Sequence, residues 1–229
     1  MERGSTKVMR ALTGAGAAAL VALLVVPIVA LALTTRLSDL DEASARGLHE
    51  ALALSLGTTT TSAALLLVLG TPLAWWLGRR RGRFTGAVEA LVRLPVVTPP
   101  AVAGVALLAV FGRQGLFGDE LEALGWSLPF TTGAVVVAQL FVAAPFFVLP
   151  LADAFREIDE ELLWTARSLG ATPGRAFARI ALPLVLPSLL GGLAVAWARA
   201  LGEFGATLVF AGNLPGTTQT LPLAIYAAM

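Results

Sequence analysis

Arg199 and Glu203 are the residues of this sequence whose spacing most directly suggests chemistry. Four apart, they share a helix face inside an otherwise apolar segment. Charges at membrane depth are expensive and face a protein interior or an aqueous path. The pair can therefore lock its helix to a neighbour, or Arg199 can draw an anion towards a pathway. A pathway needs weak ion binding to allow release, which favours the lock. Reactive chemistry is otherwise scarce. The chain has no cysteine. His49, the one histidine, lies beside acidic residues in a polar stretch and reads as a solvated loop residue. A phosphate-binding loop requires Gly-Lys-Ser/Thr, and the only lysine, Lys7, follows Thr6. Nucleotide hydrolysis by this chain is excluded on inventory. No zinc-ligand cluster and no catalytic triad can be assembled, so the chain reads as a non-enzyme without a cofactor or metal of its own. Thr58 to Thr61 and Ser62 could line a polar passage, although such hydroxyls more often satisfy their own helix carbonyls. Asn213, Thr217, Thr218 and Gln219 form a polar stretch around Pro215-Gly216. It is either a contact for an ion or protein, or a solvated turn.

The elements that must position these residues are set by hydropathy. Of 229 residues, 57% are hydrophobic and 14% charged, against about 25% charged in a soluble domain. Mean hydropathy is +0.81. The net charge of +1 argues against a nucleic-acid binder. Crossing a ~30 Å hydrocarbon core takes about 20 apolar residues. Runs at 11–33, 51–78, 94–111, 131–152 and 184–202 qualify as spans, and a sixth begins at Leu221. Lacking period-two alternation, they read as helices. The expected fold is all-α and integral to the membrane, one domain over 1–229 with about six spanning helices. Pro95, Pro99 and Pro100 should bend the third helix or delay its start. The first run follows Arg3, Lys7 and Arg10 and precedes Ala30-Leu31-Ala32. Its apolar stretch is longer than the roughly 7–15 residues of a signal core, so it reads as a retained helix.

Loop charge sets the expected topology. Arg3, Lys7 and Arg10 precede the first span; Arg79, Arg80, Arg81, Arg83 and Arg93 follow the second; Arg156, Arg167, Arg175 and Arg179 follow the fourth. Arg36, Arg46 and Arg113 alone occupy the opposite loops, twelve basic residues against three. The N-terminus and the loops 79–93 and 153–183 should be cytoplasmic. Trp75, Trp76 and Trp126 fit interfacial anchors. The sixth run ends at Met229 after covering about 14 Å, which suggests that a natural C-terminus continues beyond this chain.

Loop 153–183 carries helical punctuation. Ile158, Leu162, Ala166 and Leu169 make one apolar stripe. Asp159, Glu160 and Glu161 open the first helix and Arg167 closes it, matching the dipole. Gly170 supplies a stop. Thr172-Pro173 begins a second short helix with Arg175, Phe177, Arg179 and Ile180, and Pro183 opens the fifth span. The product is a projecting pair of helices at an elbow.

Residues 164–183, Trp-Thr-Ala-Arg-Ser-Leu-Gly-Ala-Thr-Pro-Gly-Arg-Ala-Phe-Ala-Arg-Ile-Ala-Leu-Pro, resemble the signature loop of ABC transporter permeases of the importer type. Ala166, Gly170, Ile180, Leu182 and Pro183 stand in register. Trp164 and Thr165 replace the usual Glu and Ala, with Glu161 one turn earlier. The stretch Ala198 to Thr207, with Gly202-Glu203-Phe204-Gly205, and its continuation from Ala211 to Tyr226 look like molybdate permeases. Sulfate and thiosulfate permeases share some of these elements.

The resemblance implies a permease subunit importing molybdate or tungstate, with another oxyanion, or less readily an ion-coupled secondary transporter, as the alternative. Glu203 is the only acid available for ion coupling in that alternative. The implied coupling loop to an ATPase comprises Glu161, Trp164, Thr165, Ala166, Gly170, Ala171, Arg175, Ile180, Leu182 and Pro183. Arg199, Glu203, Asn213, Thr217 and Gln219 are the candidate pathway residues. The implied partners are two cytoplasmic ATPase subunits using ATP-Mg, an extracytoplasmic molybdate-binding protein, a second copy of this chain, and the lipid bilayer of the bacterial inner membrane. Gly192, Ala196 and Ala200 form a small-xxx-small row suited to close helix approach.

Overall fold

A computed structural model describes residues 2–34 and 47–228 of the chain. Arg36, Arg46 and Met229 lie outside the described residues. The chain divides into two units, Met1–Gly47 and Leu48–Met229. Among its described residues the first holds one helix, α1 (Glu2–Thr34), with Pro27 inside it and an 18-residue stretch, Thr13–Ala30, apolar enough to cross a membrane.

The second unit is helical throughout its regular elements. In order these are α2 (Leu48–Arg79), α3 (Arg83–Val97), α4 (Pro100–Phe111), α5 (Gly118–Ala123), α6 (Thr132–Glu157), α7 (Glu160–Ser168), α8 (Pro173–Leu184), α9 (Leu186–Leu201), α10 (Gly205–Phe210) and α11 (Leu221–Ala228). Helices α2 and α6 are long and apolar enough to span a bilayer, and α8 with α9 makes a further span bent by 70°.

The structure refines four boundaries read in the sequence. The delayed start expected of the prolines in 94–111 is met at Pro100, but the run is not one helix: α3 ends at Val97, Thr98 is extended at φ −81°, ψ 127°, and α4 starts at Pro100. The cause is local, since a residue before proline is driven out of the helical region and Pro99 and Pro100 follow in succession. Much of 79–93, read as a loop, is the start of α3. Helix α6 continues past 152 to Glu157. The fifth span is bent at Val185, where φ −93°, ψ 3° interrupts the helix. Pro187 there has no N–H for the Pro183 carbonyl and crowds it.

Helix α6 is the hub. Phe147, Leu151 and Phe155 are fully buried with Leu77 and Ala74 of α2 and Ala196 and Ala200 of α9. In a bilayer, apolar side chains gain little by leaving lipid, so association rests on close packing. Both neighbours supply small residues for it. Gly70, Ala74 and Gly78 recur at four-residue spacing on α2. A Cβ at Gly70 would lie 2.8 Å from Phe147 Cδ1, and one at Gly78 2.6 Å from the Ala152 carbonyl oxygen. On α9, Gly192, Ala196 and Ala200 are buried, and a Cβ at Gly192 would lie 3.5 Å from the Phe147 carbonyl. The predicted α9 row is thus used within the chain, against α6.

Gly78→Ala forces a methyl into backbone that has no room to yield. We expect a loss of about 2 kcal/mol, read as a lower unfolding temperature of the detergent-solubilised protein. Gly86→Ala, where an added Cβ meets nothing, should leave it unchanged or raise it slightly, alanine being the better helix former.

Candidate functional site

The chain between α6 and α9 forms a rigid hairpin built from capping chemistry. Asp159 caps α7, its carboxylate accepting from the Glu161 amide at 2.9 Å. At the other end Gly170 sits at φ +91°, the left-handed region that glycine fills without a Cβ penalty. The Gly170 amide donates to Arg167 O at 2.9 Å and the Ala171 amide to Ala166 O at 3.0 Å. Those two bonds are a Schellman closure. Thr172 then caps α8, accepting from the Arg175 amide at 3.3 Å, with Pro173 in the first turn. Residues Phe177–Ala181 of α8 run as a wider π-helical segment before the bend at Val185.

Arg79, at the end of α2, fixes the hairpin to the bundle. Its guanidinium donates to Ile158 O at 2.9 Å and Phe155 O at 3.4 Å and stands 3.6 Å from Glu160. It thereby supplies donors to the otherwise orphaned carbonyls at the C-terminus of α6. Trp75 sits edge-on to both Phe155 and Phe177 at 5.1 Å, with Arg79 over its ring. Arg156 bridges to Glu89 of α3 at 3.3 Å. A half-open cleft between Trp75, Arg79, Trp164, Arg167, Pro173 and Phe177 separates α7 from the stem of α8.

The stripe expected on α7 is divided by this docking. Ile158 is buried, but Leu163 is the α7 residue that packs on the core, whereas Leu162 is 44% and Leu169 84% exposed. The four-and-three spacing marks an apolar stripe correctly, but only Ile158 at its start is buried, and Leu162 and Leu169 are turned away from the bundle. Trp164 is 61% exposed, with the Arg167 guanidinium over its ring at 5.2 Å. Glu161, Thr165, Gly170 and Arg175 are exposed on the hairpin, and Ala166 and Ala171 are half-buried. Ile180, Leu182 and Pro183 lie further along, on the stem of α8, so the motif residues do not form one patch.

The second candidate region lies where α9 meets α10. Arg199 Nη1 is 2.7 Å from Glu203 Oε2. Glu203 is 1% exposed, and its other oxygen accepts from the Ala206 amide at 2.8 Å. The carboxylate thus couples the end of α9 to the first turn of α10, where an anion is favoured. The lock is therefore local and does not tie α9 to another span. Gly205 permits the same junction, since a Cβ there would lie 2.8 Å from Pro100 Cβ on α4. Gly104 does so from the α4 side, with a Cβ placed 2.7 Å from Val209 Cβ.

The remaining polar candidates are largely occupied. Thr58 donates to Leu54 O at 2.9 Å and Thr61 to Gly57 O at 2.8 Å. Ser62 and Thr59 bond Gln139 of α6. The 213–220 stretch is a strapped turn: the Leu214 amide donates to Thr218 Oγ1 at 2.9 Å, Thr132 Oγ1 to Thr217 O at 2.8 Å, and the Leu221 amide to Ser55 Oγ at 2.6 Å. Gln219 is half-buried, and its amide donates to Leu214 O at 3.0 Å. Asn213 is half-buried, and its Oδ1 has no partner among the described residues. No hydrogen bond or ion pair among the described residues joins Arg199 or Glu203 to Asn213, Thr217 or Gln219. His49 is exposed. Sequence reasoning missed Arg79, counted there only as loop charge, and the Gly70–Ala74–Gly78 row. The small-xxx-small scan applied to α9 would have found that row on α2.

An all-helical chain that crosses the membrane repeatedly and inserts a rigid hairpin between two crossings defines the class, a membrane-spanning transport component. Residues 70–229 match the family described as the binding-protein-dependent transport system inner membrane component, and the chain belongs to that family. It is similar to the molybdenum transport system permease protein ModB of Mycobacterium bovis, 49% identical over 176 residues that cover 77% of this chain and 67% of that one. The ModB of Azotobacter vinelandii is 42% identical over 191 residues, 83% of this chain and 81% of the relative. The Escherichia coli protein is 37% identical over 178 residues, 77% and 78% respectively. The chain is accordingly a multi-pass, non-catalytic permease component, of a kind that works with a binding protein and an ATPase.

Proposed function

We propose that this chain is the permease subunit of an ABC importer carrying molybdate into the cytoplasm of a bacterium. The observation that carries the reading is the hairpin. It is capped at both helices, clamped by Arg79, and turns Leu162, Trp164 and Leu169 outward. Three large apolar side chains exposed on one projecting hairpin suit a surface that a partner covers. A cytoplasmic ATPase subunit, one for each of two permease copies, is that partner, and ATP-Mg is bound and hydrolysed there. Arg3, Lys7 and Arg10 ahead of the apolar stretch of α1, with the arginines of 79–93 and 156–179, support a cytoplasmic N-terminus in the inner membrane. The names of the relatives support molybdate as the cargo.

In the cycle that follows, a binding protein delivers the oxyanion to the outer face. ATP-driven closure of the two ATPases draws the hairpins together, and the spanning helices move from inward-open to outward-open. Closure drives this only if it favours one membrane state over the other. The test is uptake of labelled molybdate by vesicles holding the permease, its ATPase and its binding protein. We expect ATP-dependent accumulation that excess sulfate leaves in place; uptake that sulfate abolishes, or that needs no ATP, overturns the reading.

A further inference from the structure

The five arginines between 79 and 93 divide into two groups. Arg79 is committed to the Phe155 and Ile158 carbonyls and Glu160, and Arg93 to Glu89 at 2.6 Å. Arg80, Arg81 and Arg83 are exposed and form no ion pair among the described residues. Glu89 is taken by Arg93 and Arg156, Asp153 by Arg156 and Glu160 by Arg79, and Glu157, Asp159 and Glu161 on the neighbouring hairpin pair with none of the three arginines. Three exposed positive charges therefore stand at the end of a 32-residue apolar helix without a direct ion-pair partner among the described residues. Gly82, at φ +151°, holds the turn between α2 and α3 in a conformation that other residues rarely adopt.

An apolar surface adjoins them. Phe84 is 73% exposed, its ring edge-on to Trp76 at 5.8 Å. By helical spacing Phe84, Leu91 and Leu94 share one stripe of α3, and all three are exposed. The adjoining face of α3, through Val88 and Val92, packs on the core. Guanidinium groups bordering an outward apolar stripe suit the headgroup level of a bilayer, where the stripe meets acyl chains and the arginines meet phosphates. Arginine engages phosphate through paired N–H donors.

We propose that Arg80, Arg81 and Arg83, with Phe84 beside them, form a binding site for the phosphate headgroup of an anionic phospholipid at the membrane surface. The proposal does not depend on what the permease carries. The experiment is native mass spectrometry of the detergent-solubilised full chain with phosphatidylglycerol and with phosphatidylcholine. The wild type should retain phosphatidylglycerol and release phosphatidylcholine. Each Arg→Gln change should weaken phosphatidylglycerol roughly fivefold, and the triple change on the order of 100-fold, from the contribution of one surface charge. Arg93→Gln should bind as the wild type does, and the triple Arg→Lys variant should keep most of the affinity. If the triple Gln variant does not fold, the three single variants decide. Equal binding of both lipids, or unchanged phosphatidylglycerol affinity in the Gln variants, overturns the proposal. Gln variants that keep the lipid but no longer retain the ATPase also overturn it, and assign the patch to that protein.

Discussion

Arg199→Ala should cost about 3 kcal/mol or more of stability, because it leaves the Glu203 carboxylate, 1% exposed, without its counter-charge. The measurement is the unfolding temperature and the monodisperse yield of the detergent-solubilised protein. Glu203→Ala should cost less, about 2 kcal/mol, since Arg199 is 30% exposed and can turn to water; what is lost is mainly the anchor on the Ala206 amide. The double variant Arg199→Leu/Glu203→Leu should recover part of the Arg199→Ala loss, because a buried pair replaced as a unit leaves no orphan charge. A pathway role predicts the opposite order, with ion selectivity altered and stability intact. Normal yield of Arg199→Ala together with changed oxyanion preference would reverse the assignment.

Gly170→Asp should separate ATP hydrolysis from uptake. Within this chain a Cβ at Gly170 meets nothing, so the substitution spares the bundle. It does place a non-glycine residue at φ +91°, a strain of roughly 1–2 kcal/mol, and a new charge at the tip offered to the ATPase. We expect uptake in vesicles to fall about tenfold or more, the effect of about 1.4 kcal/mol on docking, with hydrolysis persisting. Gly170→Asn, which tolerates the left-handed region better, should fall between it and the wild type. Uptake by Gly170→Asp at the wild-type rate would remove the hairpin from the coupling path.

These two sites also show how much was legible in the sequence. The hairpin was, because its signals are local. Gly170, Thr172 and Pro173 each act within a turn of their own position, and the structure closes each cap where its residue type predicts; Asp159, read as part of the first turn, is the residue that caps it. The Arg199–Glu203 pair was legible as an i,i+4 contact but its purpose was not, since the Ala206 amide that fixes it belongs to a different helix. Arg79 failed for the same reason: its partners at Phe155 and Ile158 are far away in sequence, so it looked like one more topology charge. The run 94–111 was legible in part: its prolines announced a late start, met at Pro100, but hydropathy averages over Thr98-Pro99-Pro100 and hid that residues 94–97 close a separate helix. On α7, periodicity revealed an apolar face but could not say whether that face is turned to the bundle or away from it. Leu163, off the stripe, took the inward place.

The 70° angle at Val185 makes α8 and α9 a crank, with the hairpin as its handle and the fifth span as its shaft. A push at the handle would reach the shaft through that bend. Gly192, Ala196 and Ala200 let the shaft lie close on α6, with Leu189 buried in the same core, the kind of packed contact at which helices shear by small sliding movements. Bulk added to that row should stall the crank even where the protein still folds.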